Sequence, residues 1–387
     1  MKKLAIVTTH PIQYNAPWFK LLRTRGVVRL KVFYTWGEAA RLTKYDPGFN
    51  KNIEWNIPLL EGYDYTFVKN VAALPGSHHY PGIDNPTLIE EIEDWHPTAI
   101  LVVGWKFKSH LKVLRHFAGK KKILFRGDSN LLDEAPGFTV KKILRRLFLR
   151  WVYRHVDIAL YVGTANKKYY QAVGLKNDQL IFAPHATDNK RFAENVNLAA
   201  REEAGLPKDA FVFIFAGKFE TKKDPELLLD TFLQINDPAA HLLMVGNGEL
   251  EGQLHQTAGR QATGVQASIH FLPFQNQQKM PGIYSMADVL VLPSKGPGET
   301  WGLCVNEAMA CSKAVLVSDK CGCVADLVKE GINGYVFKNR DSNSLLKQMN
   351  KLLLGKQQIK AMGRQSLQII QEWNFEKICL AVERCVK

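Results

Sequence analysis

No stretch of the 387-residue chain approaches the roughly 18 consecutive apolar residues that a membrane-crossing helix needs, so no spanning helix is expected. A secretory leader is not expected either. Met1-Lys2-Lys3 precedes only a short apolar run, Leu4 to Val7, and no small-residue cleavage site follows. That run reads better as a first buried strand. Six cysteines are too few for a disulfide framework in a chain this long, Cys321 and Cys323 are too close for a useful bridge, and no paired Cys-x-x-Cys zinc pattern occurs. Reduced thiols in a cytoplasmic protein are expected. There is no Gly-x-Gly-x-x-Gly after the first strand, which weighs against a dinucleotide oxidoreductase. No Asp/Asp metal motif is evident, so no metal and no cofactor are expected. A basic groove interleaved with aromatics is missing too, so nucleic acid is not expected as a partner.

The composition that is present is that of a soluble globular protein, with 46% apolar and 23% charged residues. The length suggests two domains of roughly 150 to 200 residues. Charge is unevenly spread. Residues 1–190 hold 29 Lys/Arg against 16 Asp/Glu, whereas residues 191–387 hold 22 against 21. A basic half beside a neutral half points to an anionic partner on the first.

Short apolar runs alternate with helix-length segments throughout. Leu4 to Thr8, Ala99 to Val103, Lys122 to Phe125 and Ile158 to Val162 are strand candidates in the first half. Asn15 with Pro17, and Asn85 with Pro86, are helix-start signals. The pattern resumes with Phe211 to Ala216, Leu242 to Gly246, Ile269 to Phe274, Val289 to Pro293 and Ala314 to Ser318. Pro184 to Pro207, polar and poor in strand pattern, is the expected junction, and Gln365 to Val386 the expected last helical segment. Such β-α alternation predicts two doubly wound parallel α/β units, Rossmann-like, with ligands at the carboxyl ends of strands and in a cleft between the units.

The most informative stretch is Gly296-Pro297-Gly298-Glu299-Thr300-Trp301-Gly302-Leu303, which leads from a strand into a helix carrying Glu307. The first turn of a helix offers unpaired N–H groups and a positive dipole end, a seat for a diphosphate. Glu299 before the helix and Glu307 inside it can each accept two hydrogen bonds from a cis-diol; a solvated Glu on a capped helix is the plain alternative. A second stretch, Gly217-Lys218-Phe219-Glu220-Thr221-Lys222-Lys223-Asp224-Pro225, places Lys218 and Lys223 after a strand, where they can neutralise a leaving diphosphate or form a solvated basic turn. Gly246-Asn247-Gly248 follows another strand and lets a ligand approach the backbone closely.

Taken together these residues resemble the retaining glycosyltransferases of the GT-B fold grouped as family four (group 1). The matching features run in the family's order: Gly217-Lys218 with Lys223, Val245-Gly246-Asn247-Gly248, Phe271-Leu272-Pro273, Tyr284-Ser285-Met286-Ala287-Asp288 and Leu292-Pro293-Ser294. Glu299 and Glu307 supply a Glu-x7-Glu signature, and Glu330-Gly331-Ile332-Asn333-Gly334 closes the set. The resemblance implies that Glu299 contacts donor-sugar hydroxyls, Glu307 holds the ribose, and amides near Trp301, Gly302 and Leu303 meet the diphosphate. It also implies that Lys218 and Lys223 stabilise the leaving nucleotide, beside Gly217 and Gly246. Lys218 stands where the family more often has Arg, and Ser312 and Ala314 where Gly and Pro are common.

The first half resembles the family less. Thr9-His10-Pro11-Ile12-Gln13-Tyr14 resembles the opening of some members, and His10 is a contact to donor or acceptor or a structural residue in equal measure. Asp128, in Arg126-Gly127-Asp128-Ser129, stands where the family carries His or Asp near the reacting sugar; a turn Asp is the alternative. Lys141 to Arg154 is basic and apolar at helical spacing, fit either to lie on an anionic membrane surface or to pack its apolar side inward.

The expected architecture is an acceptor-binding unit, residues 1–190, and a nucleotide-sugar-binding unit, 191–387, with a helix at about 365–387 crossing back to the first. The expected activity is metal-independent, retaining sugar transfer from a nucleotide-diphosphate sugar to a glycan or lipid-linked acceptor, in the cytoplasm or peripheral on the inner membrane face. A nucleotide-sugar epimerase and a non-catalytic nucleotide-sugar-binding protein are the alternatives.

Overall fold

The computed structural model describes residues 1–37, 43–46, 51–54, 57–135, 137, 139–194, 201, 204–260 and 268–387. Of the Pro184–Pro207 stretch, residues 195–200 and 202–203 lie outside the described residues. The chain forms two compact units. One comprises Met1–Leu42, Pro58–His185 and Phe375–Lys387; the other comprises Thr43–Ile57 and Ala186–Asn374. No helix among the described residues is long and apolar enough to cross a membrane.

In the first unit, β1 (Lys2–Thr8) and β2 (Val28–Tyr34) come first in the chain. A two-stranded antiparallel ribbon, β3 (Thr43–Asp46) with β4 (Lys51–Glu54), follows in sequence but belongs to the second unit. Then come β5 (Asp64–Phe67), β6 (Ala99–Val103), β7 (Lys122–Arg126), β8 (Ile158–Tyr161) and β9 (Leu180–Phe182). Seven of them make a parallel sheet in the order β5-β2-β1-β6-β7-β8-β9. The helices between them are α1 (Ala16–Thr24), α2 (Leu88–Trp95), α3 (Lys108–Phe117), α4 (Val140–Tyr153) and α5 (Thr164–Ala172). Leu4 to Val7 have no exposed surface, as expected of a central strand covered on both faces.

Asn85 is not the helix cap that its Pro86 neighbour suggests. α2 starts three residues later, and the buried Asn85 amide donates to the carbonyls of Thr35, Val68 and Lys69, at 3.0, 2.9 and 3.1 Å. It ties together the chain segments that leave β2 and β5. The segment expected as one helix from Gln365 breaks at residues 371–374, and its second part, Phe375–Val386, packs on α1 in the first unit. There Arg25 donates to both carboxylate oxygens of Glu383, at 2.7 and 3.0 Å, and Cys379 Sγ donates to the Trp18 carbonyl.

The second unit repeats the plan. Its strands are β10 (Phe211–Ala216), β11 (Ala240–Val245), β12 (Ile269–Leu272), β13 (Val289–Leu292), β14 (Ala314–Ser318) and β15 (Gly334–Phe337), parallel in the order β12-β11-β10-β13-β14-β15. Its helices are α6 (Asn189–Glu194), α7 (Pro225–Phe232), α8 (Glu251–Arg260), α9 (Met280–Ser285), α10 (Leu303–Ala310), α11 (Val324–Leu327), α12 (Ser342–Leu354) and α13 (Ile359–Ile370). Phe213, Phe215, Phe219 and Phe232 are all at most 1% exposed, and each contributes roughly 2–3 kcal/mol by leaving water. The order reverses between β10 and β13, and in the first unit between β1 and β6. At such a switch point the loops leaving adjacent strands turn opposite ways and open a crevice at the carboxyl ends.

Candidate functional site

The crevice of the second unit lies between the loops that leave β10 and β13, and these loops carry most of the residues singled out in the sequence. The two are tied to each other. Lys223 Nζ donates to Glu299 Oε2, Lys295 Nζ donates to Asp224 Oδ1 at 2.8 Å, and Lys295 N–H donates to the Lys222 carbonyl at 3.0 Å. Burial pulls the Lys223 ammonium down, but the Glu299 carboxylate outweighs it, so the group is held above the usual lysine range and stays charged. Ser294, fully buried, donates its hydroxyl to the same Glu299 oxygen at 2.9 Å. Both bonds fall on Oε2.

Glu307 is buried differently. Tyr284 Oη donates to its Oε2 at 2.9 Å and Gln277 Nε2 to its Oε1 at 3.4 Å. The Gln277 amide is oriented from behind, since the Arg191 guanidinium donates to its Oε1 at 2.8 Å and to its backbone carbonyl. An amide oxygen held by a guanidinium leaves its NH2 to face the carboxylate. These two donors, the tyrosine hydroxyl and the glutamine amide, carry no charge themselves.

Between the two carboxylates stands the start of α10. Gly302 takes φ +99° at its N-cap, and a Cβ there would lie 2.7 Å from Leu292 Cδ2; glycine is required both for the turn and for the close approach. The Val305 N–H bonds back to the Gly302 carbonyl, and the Leu303 and Cys304 amides lie ahead of the helical ladder. Gly246 has a comparable constraint, because a Cβ on it would lie 1.9 Å from the Gly217 carbonyl oxygen. The backbones leaving β10 and β11 therefore touch. Lys218 is half-buried on that loop. Trp301 is turned inward: its indole N–H is donated to Asn306 Oδ1 at 2.8 Å and its ring is 3% exposed. Its backbone, not its side chain, belongs to the crevice rim.

All of these second-unit residues except Arg191 fall within residues 197–368, which match the model of the family described as glycosyl transferases group 1. Over those residues the chain is similar to the group 1 glycosyl transferases. Curated relatives carry names of the same kind. The chain is 31% identical over 172 residues to a D-inositol 3-phosphate glycosyltransferase of Geodermatophilus obscurus, covering 42% of this chain and 37% of that protein. A namesake in Stackebrandtia nassauensis is 28% identical over 187 residues, or 46% and 41%. The chain thus spans about two fifths of the length of these relatives. Solved structures match along nearly the whole chain: sucrose-phosphate synthase of Thermosynechococcus elongatus (TM-score 0.72, 18% identity, 99% of this chain and 98% of that one) and Anabaena HepE in complex with UDP (TM-score 0.72, 17% identity, 99% of each). The fold is the GT-B fold, two Rossmann-like units.

Outside the group 1 glycosyl transferase segment, His10 and Asp128 occupy the carboxyl edge of the first unit's sheet. His10 follows β1 and meets Trp36 edge-on, with ring centroids 5.3 Å apart. Asp128 follows β7, and its Oδ2 is 3.7 Å from Nε2 of His185, which follows β9. Burial lowers the His185 pKa, with Asp128 opposing and Arg126 adding to the fall. Arg126 is buried and donates to the carbonyls of Ala183 and Pro184, at 2.6 and 2.8 Å, so it fixes the loop that holds His185.

Sequence reasoning did not pick out His185, Lys295, Gln277 or Arg191, and it quoted Arg126 and Ser294 only as parts of motifs, with no role of their own. Of the four missed residues only Lys295 carried a usable signal, as a cation within the Gly/Pro loop; the other three are brought in by tertiary packing and have no local pattern.

Proposed function

We propose that this protein transfers a sugar from a nucleotide-diphosphate sugar to a glycan or lipid-linked acceptor, with retention at the anomeric carbon and without a divalent ion. One observation carries the reading. Two buried carboxylates, one bound to a buried lysine and one held by a tyrosine and a glutamine, flank the first turn of a helix at the switch point of a parallel sheet.

Glu307 accepts the ribose hydroxyls, and the Leu303 and Cys304 amides with the dipole of α10 receive the diphosphate. Glu299 Oε1 accepts a hydroxyl of the donor sugar. The difficult step is breakage of the bond between the anomeric carbon and the phosphate oxygen, which leaves positive charge on the ring and negative charge on the phosphate. Lys218, Lys223 and the helix N-terminus face that negative charge and supply the stabilisation a divalent ion gives elsewhere. The acceptor hydroxyl attacks from the face the phosphate leaves. Its oxygen bonds to the anomeric carbon, and its proton passes to the departing phosphate oxygen. The second unit is thus the donor unit, and the first, with Asp128 and His10 at its sheet edge, the acceptor unit. The complex of HepE with UDP and the names of the curated relatives support this reading.

The test is a thermal-shift panel of nucleoside diphosphates and their sugars with and without EDTA, followed by NMR of the product linkage. One nucleotide should stabilise the protein equally in both conditions. No stabilisation by any of them, or an inverted linkage, refutes the corresponding part.

A further inference from the structure

Helix α4 of the first unit turns apolar side chains outward. From Val140 to Phe148 no residue is buried; burial begins at Leu149 and continues with Val152 and Tyr153. Val140, Ile143, Leu144 and Leu147 are each more than half exposed, and Phe148 nearly so. Their spacing places them on one stripe of about two turns. Cations border it, Lys141, Arg145, Arg146 and Arg150 on the helix and Arg154 just beyond, while Lys142 turns back to the loop before the helix and donates to the Gly137 carbonyl at 2.8 Å. Glu134 meets two of them, bonding Arg145 at 3.1 Å and Arg146 at 2.8 Å. The first turn holds no acidic residue and two lysines, although the helix dipole favours the opposite arrangement.

Aromatics stand where the stripe meets the body. Phe148 packs against Trp105 and stacks on Trp151, each with centroids 5.7 Å apart, and the Arg115 guanidinium lies over the Trp151 ring at 5.5 Å. Beside the helix is a cavity of about 450 Å³ whose wall carries Lys142, Arg146 and Arg150 against one acid, Glu134, with Arg146 also donating to the carbonyl of Ala172 of α5 at 3.0 Å.

We propose that α4 is a docking surface for an anionic lipid bilayer, with the apolar stripe entering the acyl boundary and the cavity receiving an acidic headgroup. Charge complementarity selects this occupant. An apolar stripe alone would suit a protein partner or a second copy, but a dense cationic border with half-buried tryptophans fits a plane that is apolar below and negative above. The excess of 29 Lys/Arg over 16 Asp/Glu in residues 1–190 adds long-range attraction of the same sign. This goes beyond the transfer reading, and the assay below is blind to turnover, so either can fail alone.

The experiment is co-sedimentation of the full chain with vesicles of phosphatidylcholine alone or mixed with phosphatidylglycerol. The wild type should bind the mixed vesicles at least about tenfold more tightly and lose this preference as salt rises. Leu144→Gln with Leu147→Gln, and separately Lys141→Gln with Arg145→Gln, should each weaken binding roughly tenfold or more. These positions are exposed, so unchanged melting temperatures check that the variants fold. Equal binding to both vesicle types, or variants that bind like the wild type, overturns the proposal. So does a wild-type dimer that the Leu144/Leu147 pair dissolves while vesicles are ignored.

Discussion

Replacing Glu307 by Gln isolates the nucleotide contact from the fold. The change keeps the volume and removes the charge. A glutamine here can still accept from Gln277 Nε2, and its NH2 can donate to the Tyr284 hydroxyl, which accepts as readily as it donates. Unliganded stability should therefore change by less than about 1 kcal/mol. Binding should not survive as well. A charged acceptor contributes roughly 1.5–3 kcal/mol per hydrogen bond, and a ribose diol makes two. Loss of about 3 kcal/mol weakens the nucleotide by roughly 100-fold or more. At a concentration of about one hundred times the wild-type Kd, linkage stabilises the wild type by about 2.7 kcal/mol but the variant by about 0.4 kcal/mol. For a unit of this size that is a rise of about 5–10 °C against about 1 °C. Differential scanning fluorimetry reads both. A variant that gains as much from nucleotide as the wild type does would remove Glu307 from the binding site.

Lys223→Met should lower stability by about 3 kcal/mol, because it leaves the buried Glu299 with Ser294 as its remaining donor, and adding Glu299→Gln should recover part of that in urea unfolding. Neither variant should transfer sugar at more than about one hundredth of the wild-type rate; near-normal turnover by the double variant would exclude the pair from the chemistry. Gly302→Ala forces a Cβ into Leu292 at a left-handed backbone position, and should cost about 1–3 kcal/mol together with nucleotide binding; unaltered binding would separate this turn from the ligand. His110 is fully buried between Thr35 and Gly104, and burial pushes its pKa down to about 4. The unfolded chain takes up that proton near 6.5. The folded state is therefore fully favoured above about 6.5, and should lose about 3 kcal/mol as pH falls from there to about 4. Urea unfolding of the wild type and His110→Gln across that range should diverge, and parallel pH curves would contradict the assignment.

Most strands legible in the sequence are buried on both faces; the edge strand β12, half-buried throughout, is an exception. Ala99–Val103, Phe211–Ala216 and Ala314–Ser318 stand where their apolar runs predict. β2 went unseen because Arg29 and Lys31 interrupt its pattern, β5 because it is a four-residue edge strand, and β15 because Gly334 to Phe337 is short and adjoins a turn motif. Glu299, Glu307, Lys218 and Lys223 were visible because loops at a switch point concentrate Gly, Pro and charge. The way they are supported was not. Tyr284 of α9 and Gln277 of the loop before it donate to Glu307, Arg191 of α6 holds Gln277, and only the tertiary packing of those elements brings them together.

The helix Phe375–Val386 completes a unit whose first strand begins at Lys2. Trp18, Arg25 and the face of α1 thus wait for Cys379 and Glu383, more than 350 residues later in synthesis. By then β10 to β15 have all left the ribosome and can have closed their own sheet. The order of maturation is the reverse of the order of translation: the half made first is finished last, and until then it presents a basic, partly uncovered surface to whatever lies nearby.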